Sequence, residues 1–438
     1  MMRSQLQRLI VSGFFFFGIS PAVIAQTFTL EQAVNRALLI DPWVIGSEKR
    51  QESLEAMSVH AGALPDPTVS LSMANLPIDS FDFSQEGMTQ FKVGVSQMIP
   101  RGKTRTYKRE KLQAMSEVQP HARAERKAKV ASIVSQLWLE IYRQNRTIEL
   151  IEKDRHLFEH LVDVSQSSYT TTSGRARQQD LVRAQLELTR LDDRLTRLRQ
   201  KRDTHISLLG EWLQSSQIDV SANDHAAVDI TSPDLLISTE NTQIELLSIA
   251  LRNHPMVKAT DQKIVSSEAG IALAKQSYKP QWGVNASYGY RDDDPLGQER
   301  TDFFSAGISF DVPLFTKNRQ DKVVKAAKAD REYEKTERAL VLRKLRSGYE
   351  SAAASYHALI ERQTLFDTRL LKEMSEQAEA SLTAYTNDDG DFAEVVRARI
   401  AELNARIEAL NVDVDIQKTI AKMNYFLAGI PSSGENNE

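Results

Sequence analysis

IALRNHPMVKA (residues 249–259) and RALLIDPWVIG (residues 36–46) are one pattern written twice. Each sets Ala-Leu ahead of a polar residue and a proline, with Val two positions after that proline. Adding 213 to the residue number carries Ala37, Leu38, Pro42 and Val44 onto Ala250, Leu251, Pro255 and Val257. The register then holds without a gap, from Ser53 on Ser266 and Pro67 on Pro280 to Phe91 on Phe304, Gly94 on Gly307 and Pro100 on Pro313. One inserted residue makes the offset 214, and Lys103, Arg105, Tyr142, Arg183 and Ala184 meet Lys317, Arg319, Tyr356, Arg397 and Ala398. A period this long is a duplicated domain, not a short-period solenoid. Prolines and glycines that recur in register mean that backbone geometry recurs with them.

The boundaries follow from this ruler. Residues 1–25 read as a secretory signal: Arg3 and Arg8, a short apolar core, and small residues up to Ala25. The first repeat is expected over 26–213, a Ser-, Asp- and Thr-rich linker over 214–242, the second repeat over 243–427 and a flexible tail over 428–438. Aromatics at 7% and charged residues at 26% favour long helices with solvated faces. A net charge of −4 without a basic block gives no reason to expect nucleic acid as a partner. The chain has no cysteine, which excludes disulfides, thiolate metal sites and an N-terminal lipidated Cys. Beyond the signal no apolar run reaches the length of a membrane-spanning helix, but strands offer another way into a bilayer.

Each half opens with a short helix, a proline and a second helix, since the residue before proline is pushed out of the α region. Strict alternation follows. Val69, Leu71 and Met73 alternate with Thr68, Ser70 and Ser72, and Phe91, Val93 and Val95 with Lys92, Gly94 and Ser96. The second half repeats this from Trp282 to Tyr290 and from Phe304 to Phe310. Strands are expected at about 67–76, 88–99, 280–290 and 302–312, each with one apolar and one small polar face, the pattern of outer-membrane barrel strands. Long helices are expected over 101–213 and 315–427, with uninterrupted rods from Lys103 to about Ser168 and from Lys317 to about Leu382. A 4-3 apolar rhythm supports this, at Val130, Val134, Leu137, Ile141, Ile148, Ile151, Phe158 and Val162, and again from Leu342 to Leu370. Rods of roughly 65 residues are on the order of 100 Å long. Four strands do not close on themselves, so neighbouring copies must supply the rest: three copies give about twelve strands.

A secreted chain with two such halves resembles the TolC family of outer-membrane export channels. The resemblance covers essentially the whole mature chain and rests on the duplicated Ala-Leu…Pro openings and the hairpin-then-rod order. The run from Leu64 to Lys103 looks closest to the branch serving heavy-metal efflux. The fold class implied is mainly α with transmembrane β, two tandem repeats, and a trimer forming a 12-stranded barrel and a periplasmic helical tunnel. The partners implied are a homotrimer, outer-membrane lipid, a periplasmic adaptor protein and an inner-membrane RND-type pump, with no cofactor and no enzymatic site.

In such a channel the chemistry is gating. Asp180 and Glu394 stand at matching starts of the returning helices, where acidic side chains build the aperture of relatives. The second tip adds Asp388, Asp389 and Asp391. Carboxylates ringing a narrow pore attract cations, although acids also cap helix N-termini and Asp388 and Asp389 suit a turn. Arg183 and Arg397 lie one turn further in and are candidates for a closed-state ion-pair network. Gly174, Arg175, Arg177 and Gly390 mark the tips that an adaptor would meet. HLFEH (residues 156–160) matches an inverted zinc-peptidase pattern, but it sits in a rod with no cleft. The rival readings are a trimeric coiled-coil adhesive or structural protein, the outer component of a type I secretion system, and a metallopeptidase resting on His156, Glu159 and His160.

Overall fold

The computed structural model describes residues 26–27, 29–170, 178–214, 218–219, 240–387 and 391–430. The signal segment, most of the linker, the end of the tail, and Gly174, Arg175, Arg177, Asp388, Asp389 and Gly390 lie outside the described residues.

The first half begins with a two-residue strand β1 (Gln26–Thr27) and helix α1 (Leu30–Ile40). Thr29 and Gln32 cap α1 reciprocally, each side chain accepting from the other's backbone N–H. Helix α2 (Pro42–Gly62) leads to β2 (Thr68–Ala74) and β3 (Gln90–Ile99). Helices α3 (Thr104–Ser116), α4 (Val118–Thr170) and α5 (Gln178–Leu213) complete the half. Strand β4 (Ile218–Asp219) pairs in parallel with β1. The second half repeats the order: α6 (Glu240–Asn253), α7 (Pro255–Lys275), β5 (Trp282–Tyr290), β6 (Phe303–Phe310), α8 (Gln320–Leu365), α9 (Leu371–Thr386) and α10 (Phe392–Phe426).

The first rod departs from the expected unbroken helix. It is divided at Glu117 into α3 and α4, because Pro120 has no N–H to donate to Ser116 and stands instead in the first turn of α4, where proline is tolerated. The second rod is continuous but contains one π-helical turn, Phe366–Leu370, between α8 and α9. At 53 residues α4 spans about 80 Å.

The four strands form one antiparallel sheet in the order β2-β3-β5-β6. Val95 pairs with Val69 on one side and Ala286 on the other, and Ala286 pairs with Ala306. One row across the sheet is therefore apolar. The next row, Ser70, Gly94, Ser287 and Ser305, is small and polar. Lys92 is the one charged residue on these four strands, and it stands on the polar face. Val69, Leu71, Phe304 and Ile308 on the other face are 64% to 74% exposed. A water-soluble sheet would bury such a face, whereas a bilayer covers it.

Below the sheet the two halves are clamped. Gly102 turns with φ +45, and Arg101, just ahead of it, forks onto the Asp311 carboxylate while donating to the Lys279 carbonyl (2.7 Å). Asp311 also accepts from the Gln281 N–H (2.6 Å). Along the rods, Val130, Val134, Trp138 and Ile141 of α4 are fully buried against Leu209 and Leu213 of α5, Val414 of α10, and Ala33 and Ala37 of α1. Val130, Val134 and Ile141 of the expected 4-3 positions thus lie in the seam of a coiled coil, whereas Leu137 is only partly buried and Trp138 takes the seam position beside it.

The two opening prolines have different supports. Asp41 caps α2, accepting from the Trp43 N–H (3.0 Å), and is gripped by the Arg126 guanidinium (2.7 Å). Burial works to raise its carboxyl, yet those two donors hold it below the usual carboxylate range. His254, its counterpart, is fully buried. Its Nδ1 accepts from the Met256 N–H (3.2 Å), so Nε2 carries the proton and donates to the Tyr425 carbonyl (3.0 Å). More than the residue before a helix, it ties the second opening to the end of α10. Burial pushes the imidazole below the ordinary histidine value. The folded chain therefore holds His254 neutral, and the stability this contributes is present above pH 6.5 and is lost as pH falls through the lower folded value. We expect melting curves between pH 8 and 5 to show a wild-type loss of stability toward acid, with that component missing in His254→Gln. Identical pH profiles would remove His254 from the account.

Candidate tip gate and barrel wall

The returning helix α10 starts where Asp391 accepts from the Ala393 N–H (3.2 Å). Capping there belongs to Asp391, which leaves Glu394 in the first turn with an exposed side chain, favourably placed against the helix dipole. Asp180 is the third residue of α5, at the matching place; its side chain lies outside the described residues. Arg183 and Arg397 are both exposed, one residue before Ala184 and Ala398, which are buried. The repeat thus presents a charged residue outward and a small residue inward at the same level of both returning helices.

What holds the tip is apolar. Phe158 of α4, Ala184 of α5, and Phe392, Val395 and Val396 of α10 share one cluster, with Leu382 and Tyr385 of α9 packed on it. The Tyr385 and Phe392 rings meet edge to face at 5.5 Å. This cluster joins the α4/α5 coil to the α9/α10 coil within a single chain.

Further along the rods runs a charge ladder that the sequence reading missed. Arg399 donates to Glu402 (2.9 Å) and to Glu379 of α9 (2.7 Å). Arg406 pairs with the other oxygen of Glu402 and reaches Asp154 of α4 at 3.5 Å. Glu402 is almost wholly buried. Burial raises the Asp154 carboxyl, Arg406 acts against that rise, and the neighbouring Glu402 charge adds to it. The signal available in sequence was Arg399, Glu402 and Arg406 at spacings of three and four, one face of a helix. Their partners on α4 and α9 are hundreds or tens of residues away and leave no local trace. At HLFEH, His156 Nδ1 lies 3.1 Å from Glu159, and both side chains are at least one-third exposed. Among the described residues no group of three or more His, Asp and Glu side chains is arranged to hold a metal.

The sheet therefore carries one apolar and one small polar face, the pattern of a barrel wall, above rods of coiled helix. Residues 246–425 match the family described as Outer membrane efflux protein. The matched span is the second repeat, and the in-register duplication carries the same pattern through the first. Over its second repeat the chain thus matches this outer-membrane efflux family, in line with the resemblance to the TolC family. No curated protein matches it. Among solved structures, a membrane protein from Pseudomonas aeruginosa superimposes with a TM-score of 0.76 at 12% identity, over 91% of this chain and 93% of that one. The outer-membrane channel OprN does so at 0.75 and 15% identity, over 92% and 90%. CusC, described for its folding and transmembrane channel formation, gives 0.74 at 12%, over 91% and 92%. At such identities these likenesses speak for the fold, which they support across both repeats.

Proposed function

We propose that three copies of this chain form the passive outer-membrane duct of a tripartite export system, opened at its periplasmic tip by an adaptor protein and an RND-type pump. The observation behind this reading is the four-stranded sheet, whose outer strands β2 and β6 each have a pairing partner on one side only and whose apolar face is exposed. A bilayer leaves no water to satisfy a bare strand edge, so β6 of one copy pairs with β2 of the next until the barrel closes. The rods then line one tunnel below the membrane. In this reading Asp180, Asp391 and Glu394, with Asp388 and Asp389, ring the aperture, Arg183 and Arg397 sit behind them, and Gly174, Arg175, Arg177 and Gly390 form the face that meets the adaptor. The cargo is small solutes, heavy-metal cations among them, attracted by the carboxylates.

Planar-bilayer recording of the purified protein tests both levels. The expected result is a mostly closed, cation-selective pore, with Asp180→Ala/Glu394→Ala lowering the cation-to-anion permeability ratio by roughly threefold, as expected for charge removed from a ring. A protein that conducts under no condition, adaptor included, is not a duct. A pore whose selectivity ignores the double substitution leaves the duct intact and removes the carboxylates from it.

A further inference from the structure

Midway along the rods, α4, α5 and α10 enclose a cleft of about 600 Å³. We propose that it binds a small multivalent oxyanion, of the phosphate or polycarboxylate type. Arg194, Arg197, Lys201 and His205 fall on one face of α5 at spacings of three and four. Arg143 faces them from α4, so five basic side chains meet one acid, Glu140. That acid is already engaged: Lys418 donates to it, and Arg143 lies alongside at 3.5 Å.

Among the described residues, Arg194 and Lys201 form no ion pair with the chain's own acids, although the Glu408 charge favours the Arg194 cation from a distance. Arg194 hydrogen-bonds to a neutral group, the Asn404 side-chain oxygen (2.7 Å). Burial and the neighbouring Arg197 both work against its charge. Lys201 has no acidic partner among the described residues. Arg197 holds Asp193 (2.7 Å), but both side chains are about two-thirds exposed, so that pair is worth little. Arg143 binds Asp415 through its outer nitrogen, and its Nε, shielded from solvent, lies 3.5 Å from the Glu140 carboxylate without a hydrogen bond. His205 donates Nδ1–H to the Lys201 carbonyl (2.8 Å), which fixes its ring beside Lys201. The uncommitted donors of the cleft are those of Lys201 and Arg194, and a partly buried, positive cleft with donors to spare favours an acceptor.

The chemistry of the lining selects the ligand. Guanidinium forks match the paired oxygens of phosphate and carboxylate, and an ammonium beside them adds a point charge. Gln144 from α4 and Asn411 from α10 add neutral amide groups to the lining. Metal cations are repelled by such a donor set. Because α5 comes from the first repeat and α10 from the second, an anion here ties the two halves together. The inference stands on this cleft alone and does not depend on the export reading.

The test uses the full chain in detergent, with sodium phosphate and sodium citrate against sodium chloride at matched ionic strength, read by thermal melting and by calorimetric titration. Phosphate or citrate is expected to raise the melting temperature along a saturating curve, and Arg194→Gln/Lys201→Gln to weaken binding at least tenfold. Lys49→Ala, which removes an exposed lysine paired on α2 far from the cleft, should leave the curve unchanged. Circular dichroism establishes that the double variant folds. Equal shifts from chloride, a shift that survives the double substitution, or binding seen only when trimers dissociate would each overturn the proposal. The last outcome would mean that the carboxylates of a second copy fill the cleft.

Discussion

Gly429→Ala is expected to destabilise the folded chain by about 3 kcal/mol, the upper part of the range for overpacked sites. A Cβ at this position would stand 2.3 Å from the Ala250 carbonyl oxygen and 2.6 Å from the Asn253 carbonyl carbon and the His254 nitrogen. All three are backbone atoms, so no side-chain rotation relieves the contact. The crowded turn is the opening of the second repeat, where His254 reaches across to Tyr425. Moving it apart also strains that hydrogen bond and the packing of Ala250 and Leu427 in one cluster. Gly46→Ala is the control, because a Cβ there meets nothing within 4 Å. Gly46 lies inside α2, so alanine should stabilise by up to about 1 kcal/mol. Urea midpoints of the two variants read the contrast, and similar values for both would refute it.

The repeat was legible because its markers are local and rigid. Pro42 and Pro255 fix a chain direction wherever they stand, and Gly94 and Gly307 recur where a Cβ would crowd a polar side chain of the paired strand. The alternation of Val93, Gly94 and Val95 reports a two-faced strand without knowledge of any partner. The seam of α4 was legible for the same reason. What escaped is either a single-residue exception or a contact across the halves. Pro120 was passed over in reading the first rod as unbroken, although its missing N–H divides α3 from α4. The Arg101–Asp311 clamp joins residues from different halves, and nothing around either residue announces the other. His254 and Asp41 occupy one position of the repeat, yet one is satisfied by a carbonyl of α10 and the other by a guanidinium of α4. At the tip, matching positions identified Glu394 and Asp180 as a pair. That Asp391 caps α10 and leaves Glu394 exposed required the backbone geometry.

Leu71→Arg should block assembly, and Ser305→Arg should not. Both residues sit near the middle of their strands, and both are exposed in the single chain. They differ in face: Leu71 belongs to the apolar set with Val69 and Met73, and Ser305 to the small polar row with Ser287 and Gly94. If the apolar face meets lipid, a guanidinium there costs about 2 to 4 kcal/mol near the bilayer midplane. Threefold symmetry multiplies that cost, because every copy carries the substitution. On the inner face the same guanidinium meets water and costs little. The measurement is the yield of sodium dodecyl sulfate-resistant oligomer in outer-membrane fractions, expected to fall at least tenfold for Leu71→Arg and to stay within twofold of wild type for Ser305→Arg. A soluble sandwich, in which the apolar face packs against a second sheet, also penalises Leu71→Arg, but it would place neither variant in the membrane fraction. If Ser305→Arg proves the damaging change, the faces are reversed. The small polar row would then be a packed interface, with no open lumen behind it. The contrast between two neighbouring strand faces thus separates a pore wall from a buried sheet, which the exposure of either face in a single chain does not.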